Sequence, residues 1–495
     1  MSRIAKTDRQ LREQAAAHSG ALYASRVRVY PMAVHGVMRR IKWGVLIACL
    51  SAYYLLPWLR WDRGPLHPNQ AVLLDLWNER FYFFGLELWP QDIFYLAGAL
   101  IAGAVLLFFV TSLVGRVWCG YTCPQTVWTD LFMWVERLIE GDRNERMRRD
   151  AQPLSFEKVW RKTLKHGLWL AIAFWTGGAW IMYYVDAPTV TREFWTGAAS
   201  TQVYAFIFLF TFTTYSLAGW AREQVCTYMC PWPRFQSAML DEHSFTVTYE
   251  AWRGEPRTRG KHAGDAGSAG DCVDCLACIH ACPTGIDIRD GIQLECINCG
   301  LCMDACNHVM EKLGRSKWLI SWDTLARQAA KKEGRPAPLR LLRARSVIYI
   351  AALAVALVTT ATALLTRHTQ ALSVERDRAP LYVMLPDGTL RNGYTIRILN
   401  KRREVGNYEL VLPDFPGAVL AVAEWDLLPA GKLDLPVGPD QAGTFRVLVT
   451  GRPMHLVEGA QPVDFVLRNR ATGETTTYRS IFMGPKGFSP AVQAP

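Results

Sequence analysis

The sequence predicts a multi-domain membrane protein: a bundle of five transmembrane helices, a cysteine-rich α+β module inserted before the last of them, and an all-β sandwich at the C-terminal end. Three observations predict it. Five apolar stretches, Trp43–Leu59, Ile93–Val114, Leu168–Val185, Val203–Gly219 and Val347–Thr366, contain no charged side chain, and each is close to the roughly 20 residues that a helix needs to cross a bilayer. Before the fifth stretch, between residues 272 and 306, cysteine recurs eight times at regular spacing. Beyond residue 366 the pattern changes to short runs of alternating apolar and polar residues, the period of half-buried strands.

The boundaries follow in order. Residues 1–40 form a basic arm, with Arg26, Arg28, Arg39 and Arg40 nearest the membrane and placed to meet anionic headgroups. Residues 41–253 hold four spans, 254–346 a linker and the cysteine module, 347–366 the fifth span, and 367–495 the sandwich. Half of the residues are hydrophobic and 19 are Trp, a composition suited to aromatic belts at a bilayer surface. The first stretch starts too late for a cleaved signal peptide.

A net charge of +11 suggests nucleic acid at first sight, but its distribution excludes that class. Lys plus Arg number 9 before the first span, then 3, 10, 1 and 17 in the successive loops. By the positive-inside rule the N-terminus, the second loop and the fourth loop are cytoplasmic, so the excess charge reports topology. Five spans leave the C-terminal domain outside, in a periplasm where there is one. Cysteine placement agrees, because thiolates persist in a reducing compartment and no cysteine follows Cys306. Cys49, within the first span, reads as an ordinary small core residue.

The first outer loop, Arg60–Asp92, is rich in Trp and Phe and is expected to lie against the interface. The second span runs into Cys119, Tyr121, Cys123 and Pro124; the fourth runs into Cys226, Tyr228, Cys230 and Pro231. Both read CxYxCP, an internal repeat that makes spans one and two resemble spans three and four. Cysteines at i and i+4 share one helix face, and the proline ends one helix or opens the next. Arg116 and Arg222 stand close in sequence and are expected to lower thiol pKa values. If the hairpins pack side by side, four sulfurs converge, a soft donor set suited to Cu(I), with Met229 as an additional thioether. One four-thiolate site and two thiol pairs both remain open, as does plain interfacial packing. Pro124–Glu140 has the pattern of an amphipathic helix lying on the membrane, and the basic stretch Lys331–Arg345 fits the charge rule alone. A Gly-rich linker, Gly260–Gly270, precedes the cysteine module.

Within that module CxxCxxCxxxC occurs twice, as Cys272, Cys275, Cys278, Cys282 and as Cys296, Cys299, Cys302, Cys306. This is the pattern of a dicluster ferredoxin holding two [4Fe–4S] clusters, in which the fourth cysteine of each run crosses to the other cluster. Cys272, Cys275, Cys278 and Cys306 are assigned to one cluster, and Cys296, Cys299, Cys302 and Cys282 to the other. Zinc motifs offer two pairs rather than two runs of four. Pro283 follows the first run, whereas Asn307 follows the second.

In the tail, strands are expected at Leu381–Leu385, Tyr394–Leu399, Tyr408–Leu412, Ala418–Ala423, Thr444–Thr450, Val463–Leu467 and Thr475–Phe482, separated by turn residues. Seven such strands suggest an immunoglobulin-like sandwich. Lacking cysteines and acidic clusters, it reads as a docking or stabilising domain.

Taken together, LPWLRWDRGP (Leu56–Pro65), GRVWCGYTCPQTVWTDLF (Gly115–Phe132), ERLIEGDRNER (Glu136–Arg146), CTYMCPWPRFQSAMLDEHSFTVTYEAWRGEPR (Cys226–Arg257), the double cysteine run and RNGYTIRILNK (Arg391–Lys401) resemble the cytochrome c oxidase accessory protein family of the CcoG/FixG/RdxA type, along nearly the whole chain. The resemblance implies an iron–sulfur protein of the bacterial inner membrane, acting as a cupric reductase that supplies Cu(I) for assembly of a cbb-type oxidase. It makes Cys119, Cys123, Cys226 and Cys230 the candidate copper or redox thiols, with copper as substrate or transient ligand. The implied partners are a copper-transporting P-type ATPase or oxidase assembly factors, besides the lipid bilayer and an unidentified electron donor; pairing with a second copy of the chain stays open. Two rival readings are an electron-transfer subunit of a quinol dehydrogenase and a non-enzymatic assembly scaffold. Against the first, no span carries an ionisable residue and no CxxCH haem signature is present.

Overall fold

The computed structural model describes residues 28–65, 67–258, 270–336, 339–423, 425, 431–452 and 459–486. Residues 1–27 of the expected arm and 259–269 of the expected linker lie outside the described residues. The chain divides into two units, before and after residue 361.

The α-helices of five residues or more are α1 (Val37–Leu55), α2 (Ile93–Val114), α3 (Pro124–Glu140), α4 (Arg143–Ala151), α5 (Phe156–Ile181), α6 (Ala187–Thr196), α7 (Thr201–Thr214), α8 (Trp232–Ala238), α9 (Ala277–Ala281), α10 (Leu301–Lys312) and α11 (Leu325–Lys332) in the first unit, and α12 (Ala344–Leu365) across its end. Among the described residues, four helical segments are long and apolar enough to cross a membrane: Val37–Trp58, Ile93–Val114, Thr201–Ala221 and Ala344–Leu365. The third expected span differs. Its helix, α5, starts twelve residues before Leu168, and this early part carries Glu157, Lys158, Arg161, Lys162 and Lys165. Only its second half is apolar. That half packs flush against α7: a Cβ on Gly177 would lie 2.9 Å from the Ile207 carbonyl oxygen and 3.0 Å from the Thr211 nitrogen. Small residues permit such backbone approach between membrane helices. The five expected spans are therefore four continuous apolar helices and one half-polar helix.

The first outer loop folds into a three-stranded antiparallel sheet, β1 (Val72–Asp75), β2 (Arg80–Phe83) and β3 (Leu86–Leu88). Arg63 is buried there and donates to the carbonyls of Phe84, Pro68, Gln70 and Ala71.

Helix α3 begins at Pro124, whose missing N–H costs nothing at a first helical position. Phe132, Val135 and Ile139 pack with Trp169, Ala173 and Ala218. Its acidic face is not open to solvent, as an amphipathic surface helix would require: Asp130, Glu136 and Glu140 are at most 1% exposed. Arg39 grips Asp130 at 2.8 Å. Glu136 takes Arg146 at 2.8 Å, Arg222 at 2.9 Å, and Lys165 and Arg28 at 3.5 Å. Cations from the arm, α4, α5 and the end of the Thr201–Ala221 segment thus meet on one carboxylate.

The cysteine module is tied into this bundle. The N–H groups of Met38 and Arg39 at the start of α1 donate to the Asp304 carboxylate in α10, at 3.3 and 2.8 Å. The anion satisfies orphan donors and complements the helix dipole. A Cβ on Gly36 would lie 2.2 Å from Asp304 Cγ, so only glycine permits the approach. Strands β4 (Thr246–Tyr249) and β5 (Ile320–Asp323) pair on either side of the module in sequence.

The second unit is a two-sheet sandwich. One sheet has the order β10 (Val419–Val422), β12 (Gln441–Gly451), β8 (Leu390–Asn400), β6 (Gln370–Arg376), with β7 (Val383–Met384) also paired to β8; the other has the order β11 (Lys432–Val437), β9 (Gly406–Val411), β13 (Ala460–Asn469), β14 (Thr475–Met483). Tyr394, Ile396, Leu410, Leu435, Phe465 and Phe482 meet in its core. The seven expected strands are present. Strands β6 and β11 are additional; β11 carries Pro436, a residue that argues against a strand in sequence.

Candidate metal centre

Each CxYxCP motif forms one wide turn. Cys123 N–H donates to the Trp118 carbonyl at 2.9 Å and Cys230 N–H to the Val225 carbonyl at 2.8 Å, both i to i−5 bonds. The segments Trp118–Thr122 and Val225–Met229 are therefore π-helical, where the i, i+4 reading expects an α-turn. Prolines 124 and 231 offer no N–H to continue the ladder, so each helix widens and stops. Thr126 Oγ1 donates to the Cys119 carbonyl at 2.6 Å.

The two repeats meet. Gln125, two residues after Cys123, donates to the carbonyls of Leu217 and Arg222 at 2.9 and 3.2 Å. Burial pushes the Cys119 thiol up to about 12, and Cys123, Cys226 and Cys230 reinforce the shift by their proximity. Burial likewise pushes Cys226 up to about 12, with Cys123 and Cys230 adding to it. The two motifs therefore lie within electrostatic reach of one another, with Cys119, Cys123, Cys226 and Cys230 each half-buried. The arginines do not win: Arg116 pulls both thiols downward, but burial and the neighbouring sulfurs prevail. Met229 is 63% exposed.

The first motif is seated on the second cysteine run. Tyr121 Oη donates to the Cys299 carbonyl at 3.0 Å, and Cys119 packs against Ile297, Cys299 and Leu301. A Cβ on Gly120 would lie 2.6 Å from the Ile297 carbonyl oxygen. Arg116 donates to the Leu294 carbonyl at 2.6 Å. Arg222 plays a different part: its guanidinium pairs with Glu136, and its backbone sits at a φ of 45°, a costly conformation for a side chain of this size.

Sequence reasoning missed one neighbour. Gln236 in α8 is fully buried, its Oε1 lies 3.1 Å from Cys119 Sγ, and its buried Nε2 has no hydrogen-bond partner among the described residues. A lone glutamine in a short helix gives no sequence signal. An amide with its two ends exchanged presents N–H to the sulfur.

The cysteine runs adopt the same backbone twice. Asp274 and Leu276 in the first run, and Asn298 and Gly300 in the second, all have positive φ, from 49° to 70°. Successive residues of this kind turn N–H groups inward into an anion-binding nest, which fits an anionic sulfur cluster. One cavity is bordered by Cys272, Cys275, Cys278 and Cys306. A second is bordered by Cys282, Cys296, Cys299 and Cys302, with Cys278 on the wall shared by the two. The fourth cysteine of each run thus reaches the other run's cavity. Pro283 follows α9, a helix of five residues, whereas Asn307 lets α10 run for twelve and accepts from the Trp318 N–H at 2.7 Å.

A family profile for a 4Fe-4S dicluster domain matches residues 221–325, and one for a 4Fe-4S binding domain matches residues 96–141. A profile for the IG-like fold at the C-terminal of FixG, which classes FixG with the oxidoreductases, matches residues 360–485. The nitrogen fixation protein FixG of Rhizobium meliloti is 44% identical over 494 residues, covering 94% of each chain. The chain belongs to the FixG/RdxA family. Protein RdxA of Cereibacter sphaeroides is 44% identical over 435 residues, covering 87% of this chain and 91% of that one. Protein RdxB of the same organism is 44% identical over 396 residues, covering 79% and 83%. A crystal structure of a FixG-related protein from Vibrio parahaemolyticus covers 23% of this chain and 96% of that one, at 20% identity and a TM-score of 0.20. As a FixG/RdxA protein the chain is a membrane-bound iron–sulfur protein of oxidoreductase type.

Proposed function

We propose that this FixG/RdxA protein reduces Cu(II) to Cu(I) at the CxYxCP thiols and that the Cu(I) serves assembly of a cbb-type oxidase. The observation that carries the proposal is the approach of the two CxYxCP motifs, whose half-buried cysteines lie within electrostatic reach of one another, with Cys119 packed on the second cysteine run. Thiolates are soft donors that favour Cu(I) over Cu(II), so four of them stabilise the product of a one-electron reduction. Cys272, Cys275, Cys278 and Cys306 would hold one cluster, and Cys296, Cys299, Cys302 and Cys282 the other. When bound, such clusters supply single electrons.

The chain's own residues prepare the site. Burial keeps the Cys119 and Cys226 thiols protonated until a metal arrives, so copper binding there releases protons. Arg116 sits where its charge acts on Cys119, Cys226 and Cys296 alike and favours the thiolate forms as those protons leave. Tyr121 and Gly120 fix the distance between motif and run. The charge pattern of the loops supports a cytoplasmic thiol site and cysteine module, with the sandwich on the other face. Cu(I) held there is in reach of a copper-transporting P-type ATPase or an oxidase assembly factor.

The test is anaerobic. The reduced protein is mixed with Cu(II), and Cu(I) is trapped by a chelator, in wild type and in Cys119→Ala/Cys123→Ala/Cys226→Ala/Cys230→Ala. Rapid Cu(I) formation that disappears in the variant, with cluster absorbance retained, supports the proposal. Equal Cu(I) formation in both sinks it.

A further inference from the structure

A cavity of about 390 Å³ opens where Arg28, Lys165 and Arg222, all paired with Glu136, come together, and none of the chemistry above uses it. Its size lies within the range of small-molecule sites. Arg28, Lys162, Lys165 and Arg222 line it together with Trp169 and Trp220. The cations come from separate parts of the chain: the arm, α5, and the residue that follows the Thr201–Ala221 segment.

The depth of this cavity in the bilayer follows from the helices that form it. Trp220 lies at the end of the apolar segment Thr201–Ala221. Lys162 and Lys165 belong to the last turns of the polar half of α5, just before its apolar half begins at Leu168. The cavity therefore sits where apolar helix gives way to charge, at headgroup level, and tryptophan is at home there. Trp220 is 73% exposed, while Trp169 is buried against the cations, with Lys165 Nζ 4.8 Å and the Arg222 guanidinium 5.1 Å from its ring.

The charge balance names the ligand class. Five cations, Arg28, Arg146, Lys162, Lys165 and Arg222, are joined in ion pairs to three carboxylates, Glu136, Glu140 and Asp150. Asp150, between Arg28 and Lys162, lines the cavity, and so does Glu223, a fourth carboxylate. Among these described residues one positive charge is left over, with His166 beside it. A phosphodiester carries one negative charge, and basic pockets between membrane helices bind anionic lipid headgroups. We infer that this cavity holds the headgroup of an anionic phospholipid, with its phosphodiester among Arg28, Lys162 and Lys165 and its acyl chains leaving past Trp220. Because Arg222 lines the cavity and its carbonyl accepts from Gln125, the lipid would brace the join between the two CxYxCP repeats. The inference does not depend on copper.

The test is native mass spectrometry of the full chain with its clusters in place, offered phosphatidylglycerol or phosphatidylcholine with the same acyl chains. The inference predicts that one phosphatidylglycerol is retained at least about tenfold better than phosphatidylcholine. Arg28→Gln/Lys162→Gln should lose that preference while keeping cluster absorbance, and Lys162→Arg should keep it. Equal retention of the two lipids would overturn the inference, as would undiminished preference in a double variant with intact clusters. Displacement of the lipid by millimolar inorganic phosphate would make this a free-phosphate site and overturn the lipid assignment.

Discussion

The Tyr121 hydroxyl donates to the backbone carbonyl of Cys299 at 3.0 Å, joining the first CxYxCP motif to the middle of the second cysteine run. The bond crosses 178 residues of sequence, and the donor is 5% exposed. Beside it, a methyl group on Gly120 would collide with the Ile297 carbonyl.

Gly120→Ala should therefore displace the motif from the run. Cu(I) formation is expected to fall by at least about tenfold, because positioning errors of about 1 Å are costly at reacting centres, while iron content stays at the wild-type level. Tyr121→Phe should cost about 1 kcal/mol of stability, the net worth of one hydrogen bond, with a smaller loss of rate. Iron analysis alongside the chelator assay separates the two effects.

Gln236→Met keeps the volume but removes the amide that faces Cys119 Sγ. A hydrogen bond to a charged acceptor contributes roughly 1.5–3 kcal/mol, so the affinity for Cu(I) should weaken by about tenfold or more. Competition with a Cu(I) chelator measures this directly. Unchanged affinity would show that the amide only fills space.

Glu136 sets the pH limit of the bundle. Burial pushes its carboxyl upward, but Arg222, Arg146, Lys165 and Arg28 prevail and hold it at about 2, below the ordinary value of 4.5. Its folded value is depressed, so its contribution is full above pH 4.5 and is lost as the pH falls from 4.5 towards 2. Glu136→Gln should cost roughly 3–5 kcal/mol at neutral pH by leaving buried cations unpaired, and should flatten the acid limb of stability. Thermal unfolding between pH 3 and 7 tests both.

In metal-free protein, Cys119 and Cys226 should resist alkylation at pH 8 and gain reactivity only as the pH approaches 12, because burial and neighbouring sulfurs hold both thiols up. Their raised values also remove stability as the pH climbs from 9, where the unfolded chain's thiols ionise, to 12. Mass spectrometry of alkylated peptides reads the first effect. Cys123→Ser should speed Cys119 alkylation.

Much of this arrangement is legible in the sequence because it rests on periodicity and spacing. The cysteine runs specify their own cavities, and alternation in the tail yields the sandwich. The thiol motifs are visible as a repeat, but their approach to one another and the first motif's seat on Cys299 depend on packing between elements far apart in sequence. The acids of α3 were open to misreading for the same reason: Asp130 and Glu136 look like a solvated face until Arg39, Arg146 and Arg222 arrive from elsewhere. Charge counting attributes those arginines to topology, yet several are buried ion-pair partners. Strand β11 escaped notice because Pro436 argues against a strand, and α5 because its charged first half belongs to the same helix as its apolar second half.

The central claim is that the two repeats make one copper site, and stopped-flow oxidation of the reduced clusters by Cu(II) in Cys226→Ala/Cys230→Ala tests it most directly. The first motif stays whole and seated on its run in this variant. Cluster oxidation is expected to slow by at least about tenfold, since a site built from four sulfurs has lost two and a softer donor set is what drives formation of Cu(I). Wild-type rates in the variant would contradict it and leave the second motif outside the reaction.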